Sequence, residues 1–226
     1  MPSSIEADMM MAKMGMAMNQ PWGARDAAFT FVMWTVMMVG MMTPAALPVL
    51  LLFAGAHARR ADGGVAPAVL SFGLGYITVW LVFSAGATVA QWVLHQSALL
   101  SSTMATSSTR AGGAILIAAG AYQLTPLKGA CLTQCRSPLG FLMSNWREGS
   151  SGAFLMGLRH GAFCLGCCWA LMGVLFVVGV MNLVWIGVLA VFVLLEKIGP
   201  AGARVARVGG AALIAGGVVL VSSGAG

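Results

Sequence analysis

Between residues 156 and 172 the chain reads Met156-Gly-Leu-Arg-His160-Gly-Ala-Phe-Cys164-Leu-Gly-Cys167-Cys168-Trp-Ala-Leu-Met172. At about 100° per residue on a helix, His160, Cys164 and Cys168 follow one another at i, i+4 spacing, and Cys167 lies beside His160. Met156 and Met172 extend the same flank. Thiolate, thioether and imidazole are soft or borderline ligands, so the set suits Cu(I), Zn(II) or another thiophilic metal and not Mg or Ca, which want oxygen. Taken singly, each Cys or Met is an adaptable apolar filler. As a cluster on one helix flank they are candidate metal ligands.

Further soft residues lie outside this segment. Cys131 and Cys135 are also spaced i, i+4 and would share a helical face, offering two thiolates to one ion. The spacing is not that of a zinc ribbon, which uses two CxxC pairs. Met33, Met37 and Met41 form one helical stripe and Met38 and Met42 a neighbouring one. Pro44 and Pro48 each lack an N–H, which predicts a helical interruption just after Met41 and Met42; at membrane depth an interruption persists only where it is buried or lines a cavity. The N-terminal segment from Met9 to Met18 holds six methionines in ten residues and resembles the Met-rich arms of copper-handling proteins, where thioethers hold Cu(I) in oxidising surroundings.

The elements that must carry these residues are apolar. A 226-residue chain that is 59% hydrophobic and 8% charged, with a mean hydropathy of +0.91, is too apolar for a soluble domain of ordinary composition. Runs of roughly 17 or more nearly uncharged residues mark six expected spans, at about 28–55, 68–94, 111–127, 158–179, 182–199 and 205–222. The expectation is an all-α polytopic membrane bundle with a Met-rich tail over residues 1–27. Residues 28–226 would form a single transmembrane domain, with a Cys-containing loop at about 128–151. The first 28 residues lack a basic n-region followed by an apolar h-region, so the first span is read as an anchor.

Basic residues orient the spans. Arg59, Arg60, Lys128, Arg136, Arg147, Arg159, Lys197, Arg204 and Arg207 fall on one side, and only Lys13, Arg25 and Arg110 on the other. The positive-inside rule then places the basic loops in the cytoplasm and both termini in the periplasm of a bacterial inner membrane. That bias accounts for the net charge of +6, which is therefore not read as a nucleic-acid surface. Five cysteines, an odd number, argue against a set of structural disulfides.

The fourth and fifth spans are joined by the short Gly179-Val-Met-Asn182 turn, which allows a depth estimate. Pairing residues across the turn puts Lys197 level with Cys164 and Glu196 beside it. An ionisable residue at such depth is costly and by default a functional candidate, which adds Glu196 to the ligand set. The alternative is that Lys197 snorkels to the interface and Glu196 pairs with it or with Arg159.

Met33-Trp34 with the paired methionines and Pro44 forms the first part of a longer ordered pattern. It continues through Tyr122-Gln-Leu-Thr-Pro-Leu-Lys128, Cys131 and Cys135-Arg-Ser-Pro138, then His160-Gly with Cys164-Leu-Gly-Cys167-Cys168-Trp-Ala-Leu-Met172, and ends in Gly179-Val-Met-Asn182 and Glu196-Lys197. This pattern resembles the bacterial family of predicted metal-binding integral membrane proteins, a domain of unknown function. The resemblance implies a class and a suspected metal, not a reaction.

Three functions fit the sequence. The favoured one is a membrane soft-metal protein, for copper as Cu(I) foremost, acting in transport, homeostasis or delivery to a metallochaperone or metalloenzyme partner. The second is a transmembrane thiol–disulfide electron carrier, for which Cys164-x-x-Cys167 has the redox spacing, although span one offers no partner cysteine. The third is an accessory subunit of a membrane metalloenzyme, in a homo- or hetero-oligomer. An enzymatic activity is not required by any of the motifs.

Overall fold

A computed structural model describes residues 23–59, 64–96 and 108–223. The Met-rich segment Met9–Met18 lies outside the described residues. All regular structure among them is helical: α1 (Ala24–Ala58), α2 (Val65–Gln96), α3 (Thr109–Gln123), α4 (Pro126–Arg136), α5 (Pro138–Asn145), α6 (Gly149–Val178), α7 (Leu183–Ile198) and α8 (Gly202–Ser223). Four of them, α1, α2, α6 and α8, are long and apolar enough to cross a membrane, and the bent pair α3–α4 makes up to five. The sequence reading of six spans differs at α7, whose 16 residues make a short helix, and at the third span, which bends by 62° between α3 and α4.

The bend is written in Leu124-Thr125-Pro126. Pro126 removes a donor and pushes the preceding residue out of the α region, which ends α3. Thr125 is extended and begins α4, its hydroxyl oxygen accepting from Lys128 N at 3.3 Å and its O–H donating to the Tyr122 carbonyl at 2.7 Å. Pro126 then sits in the first turn, where its missing N–H costs nothing. The α6–α7 turn is equally local. Gly179 takes φ 94°, open to glycine without strain, and the Asn182 side chain accepts from Val184 N and Trp185 N to start α7. The interruption expected at Pro44 and Pro48 is not present, because α1 continues as one helix through both. The segment 128–151, expected as a loop, is mostly the helices α4 and α5.

Small residues let the long helices touch. Gly75 of α2 faces α6 and Gly157 of α6 faces α2, and a Cβ on either would collide with the carbonyl oxygen of Phe154 or Phe72. The same device joins α3 to α8, where a Cβ on Gly120 would lie 2.6 Å from the Gly210 carbonyl oxygen. Outward faces carry Phe29, Val36, Leu70, Val82, Leu183 and Val208, all more than half exposed. That surface fits an apolar surround.

Alpha1 and α6 run antiparallel. The pairings Trp34 with Phe176 and Met42 with Cys168 show it. Their shared interior is the main core, with Trp34, Met38, Met42, Trp80, Cys164, Cys167, Cys168 and Met172 at its centre. At the α1 N-terminal end it is closed by Trp34, whose indole N–H donates to Gln91 at 2.7 Å and whose ring packs on Phe83 and Phe176.

Gly157→Ala should destabilise the bundle by about 1–3 kcal/mol, the usual cost of overpacking, whereas Gly173→Ala, with nothing near its Cβ position, should not. Thermal unfolding of both variants in the same detergent makes the comparison.

Candidate metal centre

Five helices place side chains on one sulfur-rich centre: α1 gives Met42, α2 Tyr76, α4 Cys135, α6 the three cysteines and α7 Lys197. Within α6 the Sγ atoms of Cys167 and Cys168 both turn back to the Cys164 carbonyl oxygen, at 3.1 and 2.9 Å. This local back-bonding keeps the three residues on one turn. Cys168 Sγ lies 3.9 Å from Met42 Sδ, and Cys167 Sγ lies 4.0 Å from Cys135 Sγ. All five cysteines are free thiols.

Lys197 reaches into the middle of this group. Its Nζ is 2.8 Å from Cys164 Sγ and 4.0 Å from both Cys168 Sγ and Met42 Sδ. On its other side Cys164 Sγ meets the Tyr76 hydroxyl at 3.0 Å, and that hydroxyl also donates to the Met42 carbonyl at 3.1 Å. Lys197 is only 5% exposed, so it does not snorkel. The depth estimate that set Lys197 level with Cys164 agrees with the 2.8 Å contact.

Glu196 faces a different partner from those the sequence suggested. Its carboxylate accepts from Lys128 Nζ at 2.8 and 2.7 Å and from Gln123 Nε2 at 2.9 Å, and Lys128 also donates to the Gln123 side-chain oxygen. Lys128 and Glu196 are 1% and 0% exposed. Both of its oxygens are engaged there, and Lys197 is left to the thiols. Arg136, at the other end of α4, donates to the Glu196 and Gly199 carbonyls at the α7 C-terminus, where a cation is favoured.

The remaining candidates are spread along the core. Met172 is fully buried one turn beyond Cys168. Met38 and Met41 are buried and Met37 half-buried on α1, packed in the core without a thiol partner among the described contacts. Cys131 is half-buried and packs on α6 at Gly166, where a Cβ would lie 2.8 Å from its sulfur. Nearby, the Tyr122 hydroxyl donates to the Gly166 carbonyl. His160 is buried among Phe72, Tyr76 and Phe141, and its Nδ1 has no hydrogen-bond partner. Met156 belongs to a separate cluster with Phe53, Phe72 and Phe141. Tyr76 was not singled out from the sequence, and Gln123 and Lys128 entered only through the family pattern and the charge bias, not as site residues. The available signal was their polarity inside or at the end of apolar runs, with Tyr76 one of only two tyrosines.

Among the described residues no three His, Cys, Asp or Glu side chains are arranged to hold one ion. Two sulfur pairs lie close together instead. A metal about 2.3 Å from each of two sulfurs spans a sulfur–sulfur edge of about 4.0 Å when the bonds open to about 120°. The Met42–Cys168 and Cys135–Cys167 edges, 3.9 and 4.0 Å, have that length. Zinc in a closed site asks for four ligands, whereas thiolate and thioether in small number suit low-coordinate Cu(I).

Removing one partner of the buried ion pair should cost about 3–5 kcal/mol, because the other charge is left uncompensated. Glu196→Leu and Lys128→Met should therefore each lower the melting temperature, and the double variant should recover most of the loss in the same thermal assay.

A family model described as PpoB2, copper chaperone, matches residues 31–220. No curated protein and no solved structure matches the chain.

Proposed function

The chain belongs to this copper chaperone family, and from that premise we propose that it carries Cu(I) on Cys164, Cys168 and Met42 and passes it on through Cys167, Cys135 and Cys131. The observation that supports this reading most directly is the Met42–Cys168 sulfur pair at a trigonal edge length, with Cys164 Sγ facing the same Lys197 Nζ as both. The two thiolates supply the strong bonds and Met42 a weaker neutral one. From that centre the sulfurs continue through Cys167 to Cys135, 4.0 Å apart, and then to half-buried Cys131 one turn earlier on α4.

In this reading the bundle sits in a bacterial inner membrane with both termini periplasmic, as the basic residues suggest. Met37, Met38 and Met41 are further thioethers in the same core on α1, and Met172 and His160 lie one turn to either side of the cysteines on α6. Glu196 serves through Lys128, by holding α4 in place. The partner is a metallochaperone or a copper enzyme that gives or receives the ion. Zinc is the competing metal, and it is disfavoured by the shortage of ligands.

Protein purified under reducing conditions in detergent should take up about one Cu(I) per chain in competition with a chromogenic Cu(I) chelator. Cys164→Ser and Cys168→Ser should each weaken it by at least the roughly 10- to 100-fold that even outer-shell changes cost, and Met42→Leu by less. A triple Cys164, Cys167 and Cys168 serine variant that keeps its copper overturns the proposal. The Cys135–Cys167 pair, on two different helices, also favours a thiol–disulfide carrier. An S–S bond of about 2.05 Å would require those sulfurs to close by a side-chain movement. Alkylation trapping in intact cells reports it: both thiols remaining free under oxidative challenge removes that second reading.

A further inference from the structure

We propose that Lys197 sets the charge of the cargo, its fixed ammonium matching the centre to a monovalent ion on two thiolates and disfavouring a divalent one. This rests on the copper-carrying reading above and goes beyond it by naming what distinguishes one soft ion from another.

The geometry is that of a counter-charge built into the site. Lys197 Nζ stands 2.8 Å from Cys164 Sγ and 4.0 Å from Cys168 Sγ and Met42 Sδ, so the ammonium faces all three proposed ligands. Among the described residues no carboxylate competes for it there. Of the six acidic residues, Glu6, Asp8 and Asp62 lie outside the described residues, Asp26 and Glu148 are exposed at helix starts, and Glu196 is held by Lys128. Burial makes charge balance decisive, since an uncompensated charge away from water is expensive.

The balance follows from formal charges. Two thiolates carry −2, Cu(I) carries +1 and Lys197 carries +1, which leaves the closed centre neutral. A divalent ion on the same two thiolates leaves it at +1. Neutrality would then need a third thiolate on that ion, and among the described residues no three such groups are placed around one point. Met42 cannot help, because a thioether adds no charge. With Lys197 replaced by a neutral residue the preference inverts: two thiolates and a divalent ion are neutral, and two thiolates with Cu(I) are left at −1.

Lys197 is thus a positioning and selectivity residue acting through Cys164 and Cys168, and its test reads selectivity. Cu(I) and Cd(II) dissociation constants are measured by chelator competition on the full chain in detergent, with Ag(I) as a second monovalent probe. Lys197→Met should move the Cu(I)-to-Cd(II) ratio toward Cd(II) by roughly 10- to 100-fold, the usual reach of an outer-shell group. Ag(I) should follow Cu(I). Lys197→Arg keeps the positive charge and should keep the parent's ratio. If Lys197→Met does not give a folded, monodisperse protein, Lys197→Gln carries the same comparison. An unchanged ratio in the folded neutral variant overturns the proposal. Retention of Cu(I) by the Cys164→Ser and Cys168→Ser variants would instead overturn the copper-site reading itself, so the two failures are told apart.

Discussion

The arrangement of the sulfur centre depends on one buried ion pair, Lys128 with Glu196, and on the fact that Glu196 is followed at once by Lys197. Successive residues on a helix project about 100° apart, so α7 can turn one charge toward α4 and the next toward α6. Lys128 and Gln123 hold the carboxylate on one side. Arg136 holds the end of the same helix through its terminal carbonyls. Alpha4 buries only Lys128 and Leu132 fully, so polar contacts do much of the work of fixing it. Once it is fixed, Cys135 stands opposite Cys167 and Lys197 opposite Cys164. Among the described residues, the other elements bringing sulfur to the centre are α1 and α6.

Apolar packing supplies the other half of the geometry. The Gly75–Gly157 crossing brings α2 close enough for the Tyr76 hydroxyl to touch both the Met42 carbonyl and the Cys164 sulfur. That hydroxyl ties α1, α2 and α6 together at the level of the sulfurs. In an interior without water, each such polar group needs its partner from the protein. Most buried polar groups at this level accordingly come in mutually satisfied sets, tyrosine with thiol and carbonyl, lysine with thiols, lysine with glutamate and glutamine, and His160 Nδ1 is an exception.

The sequence showed the helical class, the boundaries of α1, α2 and α8 to within a few residues, and the cysteine cluster, because these rest on composition and on i, i+4 spacing within one helix. It also showed that Lys197 and Cys164 share a height, since a two-helix hairpin fixes depth by counting from its turn. What it left open was tertiary. The ion pair joins residues 68 positions apart, across a bend whose direction no periodicity encodes. Thr125-Pro126 marks that a bend exists, yet not that it folds α4 against α6. The continuity of α1 through Pro44 and Pro48 was missed for the converse reason. A proline removes one hydrogen bond, and packing of the buried flank from Met38 to Phe53 holds the helix together across it.

A carrier, as distinct from a storage site, must hold its ion firmly and still leave room for the next ligand. Four thiolates around one ion would meet the first need and defeat the second. Two thiols and a thioether leave coordination open, and the thioether is the bond most readily exchanged. Burial falls in the same direction as the proposed transfer: Cys164, Cys167 and Cys168 are at most 2% exposed, while Cys135 and Cys131 on α4 are half-buried. Each step in that direction trades a closed environment for a more open one while keeping the ligand type, so exchange can proceed through shared sulfur coordination without ever releasing a bare ion. The fixed charge of Lys197 belongs at the closed end of that series. There solvent cannot screen it, and it bears on the ion most strongly.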